Sequence, residues 1–175
     1  MIENTEINAE NMNKIMKDAL NDPSLLNTLD INKLLNTLEN EKHDYLNNKT
    51  LETFINENNN LIQKLDISPT NKINYCNKLI GYRLVDQINE LHKGKHIRWY
   101  RENTKQLTNG GILMDIKFLD NGIHILCMNT MRKFIQYKFD DCITFQKITE
   151  EEQLILLAYE YIEKNENMEN DENTL

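Results

Sequence analysis

The chain of 175 residues is poor in the residues that break or brace a backbone, with five glycines, two prolines and three cysteines. It also holds just two serines, Ser24 and Ser68, and one tryptophan, Trp99. The cysteines Cys76, Cys127 and Cys142 are odd in number, widely spaced and form no CxxC. That argues against a disulfide framework, a zinc ribbon and a thioredoxin-type site, and for reduced, buried thiols inside a cell. Both serines stand at helix-start signals, so capping accounts for them without a catalytic role. Neither GxxxxGK[ST] nor GxGxxG occurs, and no P-loop or Rossmann site is expected. No run of about 18 apolar residues is present, which excludes a membrane-spanning helix. The polar, acidic start has no basic region followed by an apolar one, so no signal peptide is expected.

The remaining candidates for chemistry are weak. His92 and His96 have the i, i+4 spacing of helical metal ligands, but Gly94 lies between them and a strand is expected to begin there. Cys127 and His124 are three apart on an expected strand and so point to opposite faces. Asp140-Asp141 reads as a turn, and Glu150, Glu151 and Glu152 complement the positive end of a helix dipole. No catalytic residue, metal site or cofactor is therefore expected, and the chain reads as no enzyme.

Asparagine is abundant, at 27 residues, a compositional bias that carries no mechanism. Charge is more informative. The net charge of −8 conceals three zones. Residues 1–70 carry 6 Lys and Arg against 12 Asp and Glu, and residues 149–175 carry 1 against 9. Residues 71–148 carry 13 against 7, a net of +6.

Helical spacing dominates the first half. Asp22-Pro23 and Ser68-Pro69 each read as an N-cap followed by proline in the first turn. Leu51, Phe54, Ile55, Leu61, Ile62 and Leu65 form one apolar stripe. Ile73, Cys76, Ile80, Leu84, Ile88 and Leu91 form another, expected to run as helix until Gly94. From residue 95 the pattern alternates instead. Ile97 and Trp99 are expected inward, with His96, Arg98 and Tyr100 outward. Ile112, Met114, Ile116 and Phe118 are expected inward on the next strand, and Asp120-Asn121-Gly122 signals a hairpin. Ile123, Ile125 and Cys127 follow, then a strand within 131–139 and one at Ile143 and Phe145. Thr149 and Glu152 form a capping box. The helix it opens has an apolar face of Leu154, Ile155, Leu157, Ala158, Tyr161 and Ile162.

The expected fold is therefore α+β. An N-terminal α-helical region precedes a small five-stranded antiparallel β-barrel of SH3-like form, capped by a C-terminal helix. The boundaries are a polar segment over 1–22, helices over 23–92, the barrel and its helix over 93–163, and a disordered acidic tail over 164–175.

Within the basic zone, Lys93, Lys95, Arg98, Arg101 and Lys105 cluster around Trp99 and Tyr100. Arg132, Lys133 and Lys138 lie beside Phe134 and Tyr137. Cations interleaved with aromatics suit phosphate contacts and base stacking. The binding candidates are Lys93, Lys95, Arg98, Tyr100, Arg101, Arg132 and Lys133, for nucleic acid or for a protein partner. The competing reading places Trp99 in the core, with the cations as a solvated face.

Four segments, 42–46 (KHDYL), 81–99 (GYRLVDQINELHKGKHIRW), 107–114 (LTNGGILM) and 145–159 (FQKITEEEQLILLAY), resemble a protein family of large nucleocytoplasmic DNA viruses, including the giant viruses related to mimivirus. The resemblance implies a virus-encoded protein of the infected host cytoplasm, the viral factory or the virion, and it carries over no functional residue. The leading expectation is a non-enzymatic interaction or assembly protein. The alternative is a nucleic-acid-binding accessory that uses the basic face.

Overall fold

A computed structural model of the chain describes Asp22 and residues 41–172. The helices expected before residue 41 lie outside the described residues. The chain divides into two units, one comprising Glu52–Ile148 and the other Met1–Leu51 with Thr149–Leu175.

In the first unit, helix α1 (Leu51–Lys64) buries Phe54, Asn58 and Ile62. Ser68 then caps helix α2 (Pro69–Lys78), its hydroxyl accepting from the Asn71 amide at 3.3 Å, with Pro69 in the first turn. The helix expected to continue to Gly94 ends here instead. Gly81, at φ +78°, turns the chain, and Tyr82–Val85 forms strand β1. Its alternation sends Arg83 and Val85 to one face. The fully buried Arg83 donates through Nη2 to the Glu90 carbonyl at 2.6 Å. That contact holds a single 3-10 turn over Ile88–Glu90 where the helical stripe was read.

Six further strands follow: β2 (His96–Arg101), β3 (Gln106–Leu107), β4 (Gly111–Leu119), β5 (Gly122–Met128), β6 (Phe134–Lys138) and β7 (Cys142–Lys147). They form one seven-stranded antiparallel sheet in the order β1-β7-β2-β4-β5-β6, with β3 paired to β2. The five-stranded closed barrel is therefore incorrect. The two strands absent from the sequence reading explain the error. β1 occupies the second edge of β7 (Tyr82↔Lys147 to Val85↔Thr144), while β2 occupies the first (Ile97↔Gln146 to Arg101↔Cys142). β7 thus has a neighbour on each side and offers no edge to β6, which pairs with β5 alone, so β1 and β6 remain the two ends of the sheet. Meanwhile β3 takes the end of β2 (Tyr100↔Leu107), leaving β4 only His96 and Ile97 to pair with. The sheet stays open.

Each face of the sheet carries its own apolar cluster. One holds Val85, Leu91, Ile97, Trp99, Leu113, Ile125, Cys127 and Tyr137. Trp99 stacks on Tyr137 with ring centroids 4.4 Å apart. The other cluster holds Ile62, Tyr75, Leu79, Tyr100, Leu107 and Phe145, which places α1 and α2 over the opposite face. Asn58 Nδ2 donates to the Tyr82 carbonyl at 2.7 Å and the Tyr75 hydroxyl to the Lys105 carbonyl at 3.3 Å, tying helices to sheet.

β4 departs from the expected alternation. Its register shifts between Leu113 and Asp115, a β-bulge at Met114. Leu113 is therefore fully buried while Ile112 is half-buried and Met114 exposed, contrary to the expectation that both face inward. Past the bulge Ile116 returns to the core face, and Phe118 lies near the hairpin end, 70% exposed.

In the second unit, helix α3 (Glu150–Glu172) begins at the expected capping box. The Thr149 amide donates to Glu152 Oε2 at 2.6 Å, and the Glu152 amide to Thr149 Oγ1 at 3.1 Å. The Tyr45 hydroxyl, from the 3-10 helix Glu41–Leu46, donates to Glu152 Oε1 at 2.5 Å. α3 continues to Glu172, past the Lys164 at which composition placed its end.

Candidate interaction surface

Strand parity decides what the open sheet presents. Leu113, Cys127 and Ile135 share a row on the core face, so the neighbouring row Ile112, Met128 and Phe134 lies on the outer face. Two further outer rows run parallel to it: Asp115, Leu126 and Gln136, then Lys117, His124 and Lys138. The first row is apolar and ends on Phe134, 63% exposed, at the edge strand. Met131 beside it is 70% exposed. These are large apolar side chains left in water at the sheet margin.

The loop that carries Met131, Arg132 and Lys133 is tightly closed. Asn129 accepts from Arg132 N at 3.0 Å through its carbonyl and from Lys133 N at 2.9 Å through Oδ1. It also donates its own amide to the Lys133 carbonyl at 2.9 Å. Arg132 adopts φ +57° to complete the turn. The loop therefore holds two exposed cations next to Phe134. On the far row, His124 is bridged between Asn121 Oδ1 (3.1 Å) and Gln136 Nε2 (3.0 Å), which orients the ring along the surface.

The structure divides the sequence-selected residues. Arg132 and Lys133 stand exposed at the start of β6. Lys93 and Lys95 are exposed in the turn before β2, with Lys93 bonded to Asp115 at 2.6 Å. That ion pair draws the Asp115 carboxyl below its usual range. β4 and β5 separate these two groups, so they form no single patch. Arg101 is half-buried at the end of β2. Tyr100, expected outward, is 3% exposed, because α1 and α2 cover that part of the face. Trp99 is buried in the core. Neither aromatic of β2 offers a surface for stacking.

Arg98 instead joins residues that sequence reasoning did not connect. Its guanidinium lies 5.4 Å from the Tyr82 ring centroid, and Tyr82 contacts His96. Tyr82 falls within the helical stripe of the sequence, and no spacing rule links it to Arg98.

The other candidate chemistries are quiet. Burial pushes the Cys127 thiol up to about 12, and raises Cys76 and Cys142 as well, so all three are held as thiols rather than activated thiolates. Among the described residues no three His, Cys, Asp or Glu side chains come together to hold a metal ion. A polar cleft of 600 Å³ lies between the start of α2 and the β2–β3 turn, with Asp66, Asn71, Lys78 and Lys105 on its walls. An ion pair between Lys105 and Asp66 spans it. Among the described residues no helix is long and apolar enough to cross a membrane. No protein-family model, characterised protein or solved structure matches the chain.

Proposed function

We propose that the chain is a non-enzymatic interaction protein that holds a protein partner on the outer face of β4, β5 and β6. The observation that carries this reading is the apolar row Ile112, Met128 and Phe134, ending exposed at the edge strand beside Met131. Covering a side chain as large as Phe134 is worth roughly 1.5–3 kcal/mol. Among the described residues the outer edge of β6 pairs with no strand, which adds backbone donors and acceptors, the basis of recognition by strand addition. Arg132, Lys133 and Lys138 border this edge and favour an acidic segment. The partner is therefore an extended acidic segment with an apolar side chain that seats on Phe134.

The resemblance to proteins of large DNA viruses supports a place for this pairing in assembly, within the viral factory or the virion. Quantitative affinity enrichment from infected cells tests the pairing, using the wild type and Phe134→Asp/Met131→Asp. A protein with an acidic extended segment, enriched by the wild type and lost with the folded variant, is expected. Equal recovery by both proteins refutes the reading.

A second reading has its own support. Phe134 with Arg132 and Lys133, next to the row Lys117, His124 and Lys138, joins an exposed aromatic to cations as single-strand binders do. Binding of single-stranded DNA or RNA that falls by roughly one to two orders of magnitude between 50 and 200 mM salt, as expected for about four phosphate contacts, would favour it. Flat anisotropy at the lower salt removes it.

A further inference from the structure

A different part of the sheet brings Arg98, Lys147 and His96 together. Tyr82 pairs in register with Lys147, and His96 and Arg98 flank Ile97, whose partner is Gln146. Parity places Tyr82, Lys147, His96 and Arg98 on one face, opposite Trp99. The Tyr82 hydroxyl lies 3.1 Å from His96 Nδ1, and the two rings meet edge to face at 6.0 Å. The Arg98 guanidinium rests over the Tyr82 ring and donates from Nη1 to the Thr108 carbonyl at 3.3 Å. It is thus fixed in place, yet its Nε is buried without a hydrogen-bond partner. An arginine carries five N–H donors, and Thr108 accounts for one.

Among the described residues, neither Arg98 nor Lys147 forms an ion pair with a carboxylate. On the strands, the neighbouring positions bring no acid either. β1 contributes Tyr82, β7 contributes Lys147, and β4 sets Ile112 opposite His96. Burial first, then the charges of Arg98 and Lys147, hold the His96 pKa below its ordinary value. Like charges gathered on a rigid surface repel unless an anion joins them.

We propose that Arg98, Lys147 and His96 form a binding site for a phosphate-type dianion, either orthophosphate or a phosphomonoester. Two permanent positive charges match a dianion. The guanidinium supplies planar donors suited to phosphate oxygens, and the lysine adds a mobile point charge. In the neutral tautomer that accepts from the Tyr82 hydroxyl at Nδ1, and in the imidazolium that donates from Nδ1 to that hydroxyl, His96 presents Nε2–H as a third donor. An anion here also stabilises the imidazolium, so ligand and proton bind together.

NMR of the histidine ring resonances in the full chain tests the site. Orthophosphate and glycerol 3-phosphate are titrated separately, against sodium chloride at matched ionic strength. The expected result is a saturable shift at His96 and a rise in its pKa with phosphate, and neither with chloride. Glycerol 3-phosphate binding tighter than orthophosphate identifies a phosphomonoester as the ligand, and the reverse order identifies free phosphate. Lys147→Gln, on an exposed side chain, and Arg98→Gln should each weaken binding about tenfold, the worth of one charge-assisted hydrogen bond. Lys117→Gln on the outer face of β4 should leave it unchanged. Sulfate, a dianion across the whole range, should bind more tightly as pH falls through the His96 pKa, and this dependence should vanish in His96→Gln. Shifts that chloride reproduces, or that persist at full strength in Lys147→Gln, overturn the proposal.

Discussion

Trp99→Ala is the sharpest test of how the sheet is built. Trp99 is 1% exposed on β2, stacked on Tyr137 and packed with Ile97, Leu113, Ile125 and Cys127. Truncating so large a core side chain removes its transfer free energy and leaves a cavity, a loss of about 3–5 kcal/mol. A unit of this size has about 5–15 kcal/mol in total, so the variant should unfold at far lower urea. Trp99→Phe makes the argument specific. The indole Nε1–H is buried with no partner, and an orphaned donor costs roughly 1–3 kcal/mol. Phenylalanine removes that penalty while keeping a ring against Tyr137. It should therefore cost about 1–2 kcal/mol, under half the alanine loss. The assay is urea denaturation followed by far-ultraviolet circular dichroism, because Trp99 is the sole tryptophan and both variants lose the fluorescence signal. A loss below about 1 kcal/mol for Trp99→Ala would refute the placement, since surface changes fall in that range. Equal losses for Phe and Ala would refute the role given to the orphaned N–H.

Further expectations concern the turns, a thiol and a histidine. Gly110 adopts φ +79°, and a Cβ there would lie 2.0 Å from the Ile97 carbonyl oxygen and 2.8 Å from His96 Cε1. Gly110→Ala should thus cost more than about 2 kcal/mol in thermal melts, whereas Gly81→Ala, with open space around it, should cost about 1 kcal/mol for backbone strain alone. Ellman's reagent at pH 8 should label the half-buried Cys76 and Cys142 well before Cys127, whose thiol is buried and pushed up to about 12; prompt labelling of three thiols in the native state contradicts the core. His96 has a folded pKa below its unfolded value. Its contribution to stability is thus present above the unfolded pKa of about 6.5 and is lost as pH falls through the folded pKa. Melts between pH 7.5 and 5 should show this loss, and His96→Gln should lessen it.

Local chemistry was readable where it acts within a few residues. Ser68-Pro69 and the Thr149–Glu152 box form the caps that their spacing implies, and Asp120-Asn121 closes the β4–β5 hairpin with Gly122 opening β5. Long-range pairing was not readable. The stripe of Ile80, Leu84, Ile88 and Leu91 looks helical, yet β7 recruits Tyr82–Val85 as an edge strand, and that pairing overrides propensity. The bulge at Met114 adds one residue and reverses the face of Ile112, which simple alternation cannot anticipate. Strand alternation sends Tyr100 to the outer face, and period-two reasoning says nothing of the helices laid over that face. For the candidate surface, Phe134 beside Arg132 and Lys133 follows from chain proximity. Its alignment with Ile112 and Met128 needs the register of three strands. The grouping of Tyr82, His96, Arg98 and Lys147 likewise exists only once β1, β7 and β2 are side by side.

The central claim is that the edge face around Phe134 receives an acidic protein segment, and photo-crosslinking tests it most directly. A benzophenone side chain is placed at position 134, with a control at position 73, where Ile73 on α2 is 65% exposed. After irradiation in cells that produce the protein naturally, the account predicts one dominant adduct from position 134, mapped by mass spectrometry to an acidic extended segment, and none in common with position 73. No adduct at 134, or the same set of adducts from both positions, would contradict it.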